Sequence, residues 1–426
     1  MATEGRKGEV CGGFKVEGKN VKLGRRLVSR ALDELSPYDV WGIQECMRCG
    51  VCRYTCPFWL DGQEATDIPA WRTYEVNKVY SMFYTGYGVV VRFLRLRGIK
   101  SSEFLKWRES AYNCTACGAC TETSPLEIPN WYTAILLRRM LHLSGTNLEG
   151  AEEWAGNTKK TGNALGLTRE EWGESAKSHG LPVDERADVL YVPSALEAKD
   201  PNVLGQVSSL FSTLKEKWTV SSQVSDVGYY AYLAGDFETA REQFDRVFQE
   251  AKRLGVKRIV TSDGSGFFFL RWQAPKSLGR KIDTPVEHLT ETVYEAYRAG
   301  RVKVDQADVK EDTTVHDSEF MSRLGGVERP HRELMKAVLP SYREPKASPS
   351  SHTLFTCGHH LELLKEKEEK LKRVRMYSVR QLASWAKTVV TFDPNCNLSM
   401  LNGIKDGQGL TKSYYFTEVL SKAVRT

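Results

Sequence analysis

Apolar positions along this chain follow two regimes. In the first third they recur at helical spacing: one such pattern covers Trp71–Phe83 and another runs from Trp131 to about Leu143. Within the second, Ile135-Leu-Leu-Arg-Arg-Met-Leu141 predicts an amphipathic helix, with Gly145 placed to end it. Residues 148–187 are polar with no sustained period and read as a linker. Behind them the pattern shortens, and Val189-Leu-Tyr-Val192 predicts a short buried strand followed by a stretch of helix length. The fold class expected is α+β overall, helical in front and α/β behind.

The α/β part carries an internal match. Val256-Lys-Arg-Ile-Val-Thr-Ser-Asp263 aligns with Ala386-Lys-Thr-Val-Val-Thr-Phe-Asp393 at an offset of 130 residues. The same offset lays Asp226-Val-Gly228 on Thr356-Cys-Gly358, with a helical segment after each. This predicts two duplicated α/β units, each running from a glycine-containing loop through a helix to a strand. Ligands favour the loops at the C-terminal ends of such strands. The Pro/Ser-rich stretch Pro340–Ser351 is a connection inside the second unit.

Composition narrows the function classes. The chain has 426 residues, 41% hydrophobic, and a net charge of +6 with Lys and Arg spread rather than clustered, which gives nucleic-acid binding little support. The polar, glycine-rich N-terminus lacks the apolar core of a secretory signal. No window reaches the roughly eighteen apolar residues needed to cross a bilayer; the best candidate, Tyr87–Leu96, is interrupted by Arg92 and Arg95. A cytoplasmic protein is expected, with peripheral binding at the inner face of the membrane compatible with its weakly basic character.

Seven of the ten cysteines fall in two tight runs, a distribution that suits metal ligation in a reducing compartment better than a disulfide scaffold. Cys46-Met-Arg-Cys49-Gly-Val-Cys52-Arg-Tyr-Thr-Cys56-Pro57 is the complete run of cubane ferredoxins. A zinc knuckle would instead separate pairs of cysteines by a longer loop. The second run, Cys114-Thr-Ala-Cys117-Gly-Ala-Cys120-Thr-Glu-Thr-Ser124-Pro125, matches except that serine stands fourth. In two-cluster ferredoxins the fourth residue of each run ligates the other cluster. One [4Fe–4S] cluster is therefore expected on Cys114, Cys117, Cys120 and Cys56. The other, on Cys46, Cys49 and Cys52 with Ser124 fourth, is [4Fe–4S] with an oxygen ligand or [3Fe–4S]. Residues 58–113 between the runs predict a helical wrapping, with Tyr74, Tyr80, Phe83, Tyr84 and Tyr87 read as core packing and Arg92–Arg97 as a basic stretch. Cys11 has no assigned role.

The other two cysteines sit on the repeat: Cys357 on its first loop and Cys396 on its second, where the first unit has Val227 and Gly266. With His316, His359 and His360 as further candidates, a third metal or redox centre at Cys357 and Cys396 is an expectation. The division is then a polar extension over 1–30, a helical two-cluster ferredoxin-type domain over 31–147, the linker over 148–187, and repeats over 188–285 and 286–426.

This arrangement resembles the heterodisulfide-reductase C–B fusion family, which includes the D subunits of heterodisulfide reductases and the iron–sulfur subunits of glycolate, lactate and anaerobic glycerol-3-phosphate oxidases. The residues that carry the resemblance behind the ferredoxin runs are Val315-His-Asp317, Arg329-Pro-His-Arg-Glu-Leu-Met335, Phe355-Thr-Cys-Gly358 and Val390-Thr-Phe-Asp-Pro-Asn-Cys396. The resemblance implies repeats with Cys-Cys-Gly triplets that hold disulfide-cleaving clusters. Here the first repeat has no cysteine, Thr356 replaces the first triplet cysteine of the second, and Glu319 stands near an expected thiol. Two thiols are too few for such a cluster. The leading expectation is an electron-transfer subunit of a multi-subunit oxidoreductase, working with a flavoprotein, a membrane cytochrome b or a quinone. The alternative is a redox enzyme whose catalytic centre uses Cys357, Cys396 and His316. A sensing or assembly protein with purely structural clusters ranks third.

Overall fold

The computed structural model describes residues 14–16, 19–21, 23–93, 99, 101–345, 355–407 and 409–426. Cys11, Arg95, Arg97 and the end of the Pro340–Ser351 connection lie outside them. The chain divides into two compact units, Met1–Glu152 with Leu233–Asp236, and Glu153–Tyr232 with Phe237–Thr426.

Among the described residues, the first unit is helical apart from an antiparallel pair, β1 (Phe14–Val16) and β2 (Lys19–Val21). Its helix starts are written locally. Ser36 caps Pro37–Glu45 in a reciprocal box with Asp39, and prolines open Pro57–Gly62 and Pro69–Tyr84, where their missing N–H costs nothing. Gly86–Phe93 and Ser101–Tyr112 complete the helical wrapping between the cysteine runs. The helix Asn130–Leu143 differs from expectation, for it is buried on every side rather than amphipathic, with Ile135, Leu136, Leu137, Met140 and Leu141 and both Arg138 and Arg139 at 0% exposure. Those two guanidinium groups are tolerated because they are saturated. Arg138 donates to the carbonyls of Ala111, Leu233 and Cys114, and Arg139 to the Arg30 carbonyl and the Asp33 carboxylate. Gly145 follows this helix with φ +70°, its N–H on the His142 carbonyl and that of Thr146 on Leu141.

The aromatic residues between the runs also depart from expectation. Only Phe83 is buried; Tyr74, Tyr84 and Tyr87 are exposed, and Tyr80 is half-buried against Tyr84. Residues 74, 77, 78, 81 and 84 share the outward face of one helix, so the tyrosines there cover polar surface.

The second unit is α/β. The stretch read as a linker instead forms the helices Glu149–Thr161 and Arg169–Ser178, the latter started by a Thr168–Glu171 capping box. Few apolar residues mark them, but Trp154 and Trp172 are buried, and the Trp172 indole donates to the Ser221 carbonyl. Two large anchors at wide spacing leave no periodic signal. Strands β3 (Val189–Tyr191), β4 (Trp218–Thr219), β5 (Arg258–Thr261) and β6 (Val286–His288) make a parallel sheet in the order β4-β3-β5-β6. The boundary expected at 285/286 therefore cuts off β6, which pairs with β5. After the short β7 (Lys303–Val304) come β8 (Thr313–His316), β9 (Thr388–Thr391) and β10 (Lys412–Tyr415), a second parallel sheet in the order β10-β9-β8. β11 (Val424–Arg425) pairs antiparallel with β7.

Candidate functional site

The first group of candidates lies on two loops of the first unit, and their backbones match. Arg48 and Gly50 take positive φ (57° and 77°), as do Ala116 and Gly118 (58° and 77°), at equal distances after the first cysteine of each run. Left-handed residues here turn successive amides inward, toward an anionic guest; the Ala116 N–H lies 3.3 Å from Cys114 Sγ. Glycine is the residue suited to such φ, so this much is legible in both runs. Tight turns at Val51–Thr55 and Ala119–Glu122 bring the later cysteines back toward the same points.

The structure brings together the residues predicted to share ligands across the runs. Cys56 lies near enough to Cys114 and Cys120 for their charges to act on one another. Ser124 lines one pocket with Cys46, Cys49 and Cys52. Burial pushes the Cys56 thiol up to about 11 despite the Arg72 guanidinium beside it, and burial together with the neighbouring thiols holds Cys120 well above the usual thiol range. Arg72 is itself buried, donating to the carbonyls of Ser110, Asn113 and Asp67. A buried guanidinium facing three thiols, with Asp67 also among its charged neighbours, suits an anionic thiolate-bound cluster. The donor set, four cysteines in one group and three with a serine in the other, fits the cubane type.

The second group lies in the second unit. Asp393 caps Pro394–Lys405, accepting from the amides of Asn395 (2.9 Å) and Cys396 (3.4 Å), and so fixes Cys396 in the first turn. Cys357 precedes Gly358, whose φ is +112° and where a Cβ would stand 2.8 Å from Glu362 Oε1. Gly228, its counterpart at the repeat offset, has φ +96° and equally little room beside Gln243. His316 ends β8, and the adjacent Asp317 accepts from His331 at 2.9 Å and from Arg332, residues of the Arg329–Val338 helix. Together these place His316, Glu319, Cys357 and Cys396 with one ligand atom each within 4.8 Å of the others, and His359, Asp393 and Cys396 likewise. His360 stands outside both groups, its ring edge-on to Trp154.

The electrostatics here are those of a mixed acid–thiol pocket. Burial alone would raise the Cys357 thiol, but a hydrogen bond with Cys396 and the nearby His316 outweigh it and lower the thiol to about 6. Cys396 is driven well up by burial and by Cys357. Against its own burial, His359 is raised to about 10 by Asp393, 3.1 Å away, which also accepts from the Ser265 hydroxyl at 2.7 Å. Sequence reasoning marked Cys357, Cys396, His316 and His359. It recorded Glu319 only as a departure and missed Ser265; for Asp393 the available signal was the strand–Asp–Pro order of a helix cap.

Comparison with known proteins agrees with this reading of the first group. A 4Fe-4S dicluster domain family matches residues 42–128. The chain is 24% identical over 335 residues to a probable iron-sulfur-binding oxidoreductase, FadF, of Bacillus subtilis, covering 74% of this chain and 47% of that protein. It is 27% identical over 237 residues to the Hdr-like menaquinol oxidoreductase iron-sulfur subunit of Archaeoglobus profundus, covering 50% and 42%. To the D subunit of the dihydromethanophenazine:CoB--CoM heterodisulfide reductase of Methanosarcina barkeri it is 20% identical over 357 residues, covering 79% and 82%. The chain thus spans less than half the length of the first two relatives. No solved structure matches it. The similarity to heterodisulfide-reductase-like iron–sulfur proteins read from the motifs is what these relatives show.

Proposed function

We propose that this chain, a relative of heterodisulfide-reductase-like iron–sulfur subunits, relays electrons within a multi-subunit oxidoreductase, between a flavin-, cytochrome- or quinone-bearing partner and a thiol/disulfide or organic-substrate partner. Cys114, Cys117, Cys120 and Cys56 would hold one [4Fe–4S] cluster, and Cys46, Cys49 and Cys52 the other, with Ser124 at its fourth position. When bound, the clusters supply one-electron redox chemistry. The protein's residues do the rest: the left-handed loops aim amides at the sulfurs, and Arg72 balances charge beside the fully cysteinyl site. The observation that carries this reading is Cys56 standing among the thiols of the other run.

The first loop is the side suited to a partner. Cys49 is exposed, as are Met47 (69%), Val51 and Tyr54 around it. A quinone-linked partner draws support from the relative named as a menaquinol oxidoreductase subunit. No helix among the described residues is long and apolar enough to cross a membrane. We propose that contact with a membrane-bound partner is made at the cytoplasmic face. The second unit would be a pair of related halves acting as the platform, a reading supported by the matching parallel orders β3-β5-β6 and β8-β9-β10, with β4 additional in the first, and by equal aspartate caps (Asp263 and Asp393).

Low-temperature EPR of anaerobically prepared protein tests the assignment. Cys56→Ala is expected to remove the signal of the cluster on Cys114, Cys117 and Cys120 and spare the other. Ser124→Cys is expected to alter only the signal of the Cys46 site. If Cys56→Ala instead removes the Cys46-site signal, the cross-ligation is wrong; protein lacking acid-labile sulfide would end the relay reading altogether.

A further inference from the structure

Of the ligating groups outside the dicluster loops, the one in the second unit is the most complete. His316, Cys357 and Cys396 are fully buried and Glu319 is 3% exposed, yet neither nitrogen of the His316 ring nor Glu319 Oε1 has a hydrogen-bond partner. The Cys357 thiol stands beside the ring, close enough to act on its charge. Cys396 Sγ approaches the other Glu319 oxygen at 3.7 Å. Buried polar atoms left unpaired at the centre of a well-bonded network need a cause. The neighbours are well satisfied: Asp393 accepts from the Ser265 hydroxyl, His359 and the amides of Ser265, Asn395 and Cys396, and Glu362 from Arg375 and Ser399. Among the unpaired atoms are ligating ones, the His316 ring nitrogens and Glu319 Oε1, and one ligand atom from each of His316, Glu319, Cys357 and Cys396 lies within 4.8 Å of the others.

We propose that His316, Glu319, Cys357 and Cys396 bind a single four-coordinate divalent metal ion, zinc by the chemistry of the set. Two thiolates, an imidazole and a carboxylate are its usual donors. Zinc bond lengths put tetrahedral ligand atoms roughly 3.3–3.8 Å apart, and a small contraction brings the observed group to that spacing. A polynuclear iron–sulfur centre needs more thiolates, held further apart. A Cys357–Cys396 disulfide would leave His316 and Glu319 as unpaired as before, so it does not account for the site. The ion takes up one imidazole nitrogen and the free carboxylate oxygen, and its binding displaces the thiol protons. With four protein ligands the coordination is closed, which makes the site a staple between the β8 end, the Cys357 loop and the Cys396 helix rather than a catalytic centre. The sequence position where the resemblance implies a further cysteine, near Glu319, then carries a ligand of another kind instead of a defect. This inference stands on the second unit alone and does not rest on the relay reading.

The test is elemental analysis of the full chain, purified anaerobically without chelators, with iron and labile sulfide counted beside zinc. One zinc per chain is expected, retained in Cys56→Ala and lost in His316→Ala and Cys396→Ser, while the iron count of these last two stays at the wild-type value. Should those variants not fold, growth of the unaltered protein with cobalt(II) serves. Bound cobalt is expected to show thiolate-to-metal charge-transfer bands and tetrahedral visible bands. Absence of both zinc and cobalt uptake would overturn the proposal. So would zinc unchanged in both variants, a Cys357–Cys396 disulfide in the anaerobic protein, or iron and sulfide falling with Cys396→Ser.

Discussion

Among single residues, the buried arginines of the first unit have most bearing on function. Arg72 sits beside Cys56, Cys114 and Cys120; burial alone would lower its pKa, but these thiols and Asp67 opposite hold it above the usual value. Adding an electron to a cluster there adds negative charge near a fixed cation, so the cation raises the reduction potential. Arg72→Met is expected to lower the potential of that cluster by on the order of 1–2 kcal/mol, some tens of millivolts for a one-electron couple. Arg72→Lys, which keeps the charge, should lie near wild type. An EPR-monitored redox titration decides it, and equal shifts in both variants would mean that packing, not charge, sets the potential. The lesson at this scale is that spacing announces ligands and says nothing of their counter-charges. Seven cysteines were legible because cluster loops are local, three thiols within one turn. Arg72 and Arg138 look like ordinary helix-surface arginines until the fold buries them.

At the scale of elements, the strands of the second unit were readable where an aspartate closes them. Val256–Asp263 and Ala386–Asp393 declared β5 and β9 and their capped helices, because strand, cap and first turn are contiguous. β6 was not declared, three residues being too few to show a period, and the helices of 148–187 hid behind two tryptophans. The convergence of Glu319, Cys357 and Cys396 was only half visible, since it depends on three loops meeting across sheet β10-β9-β8 and its flanks. One consequence of this packing concerns His288, at the end of β6. Burial depresses it to about 3, although its Nε2 lies 2.9 Å from the Ser262 carbonyl, and its Nδ1 accepts from the Thr290 amide. A folded-state value below the unfolded 6.5 means that the unfolded chain takes up a proton the folded one refuses. His288 therefore makes its full contribution to the second unit's stability above pH 6.5, and that contribution is lost as pH falls toward 3, at up to about 1.4 kcal/mol per pH unit. His288→Asn keeps a helix cap and removes the titration. Its urea midpoint should fall less steeply than wild type from about pH 7 to about pH 5; parallel curves would clear His288 of the effect.

For the molecule as a whole, the two units differ in what holds them together. The second has an extensive core of its own: two parallel sheets, the aromatic group of Tyr229, Tyr232, Phe269 and Phe320, and the helices around them. The first is smaller, and part of its interior is given to thiols: Cys52 and Cys120 pack with Ala70 in one buried cluster, flanked by Cys46, Ile68 and Trp131. With iron bound, that interior is cross-linked by metal–sulfur bonds and Arg72 has its counter-charge. Stripped of iron, it holds thiols that burial keeps protonated and, in Arg72, a cation that has lost the cluster's negative charge, a costly combination in a small core. Metal binding there is folding free energy, as in other small metal-dependent domains. Oxidative bleaching of the clusters with ferricyanide, under conditions that retain zinc, should therefore lower the melting of the first unit by many degrees and leave that of the second nearly unmoved. Calorimetry of intact and bleached protein reads this directly as two transitions, of which one shifts. A single transition moving as a block would show instead that the second unit depends on the clusters for its stability, and the sufficiency of its own core would have to be given up.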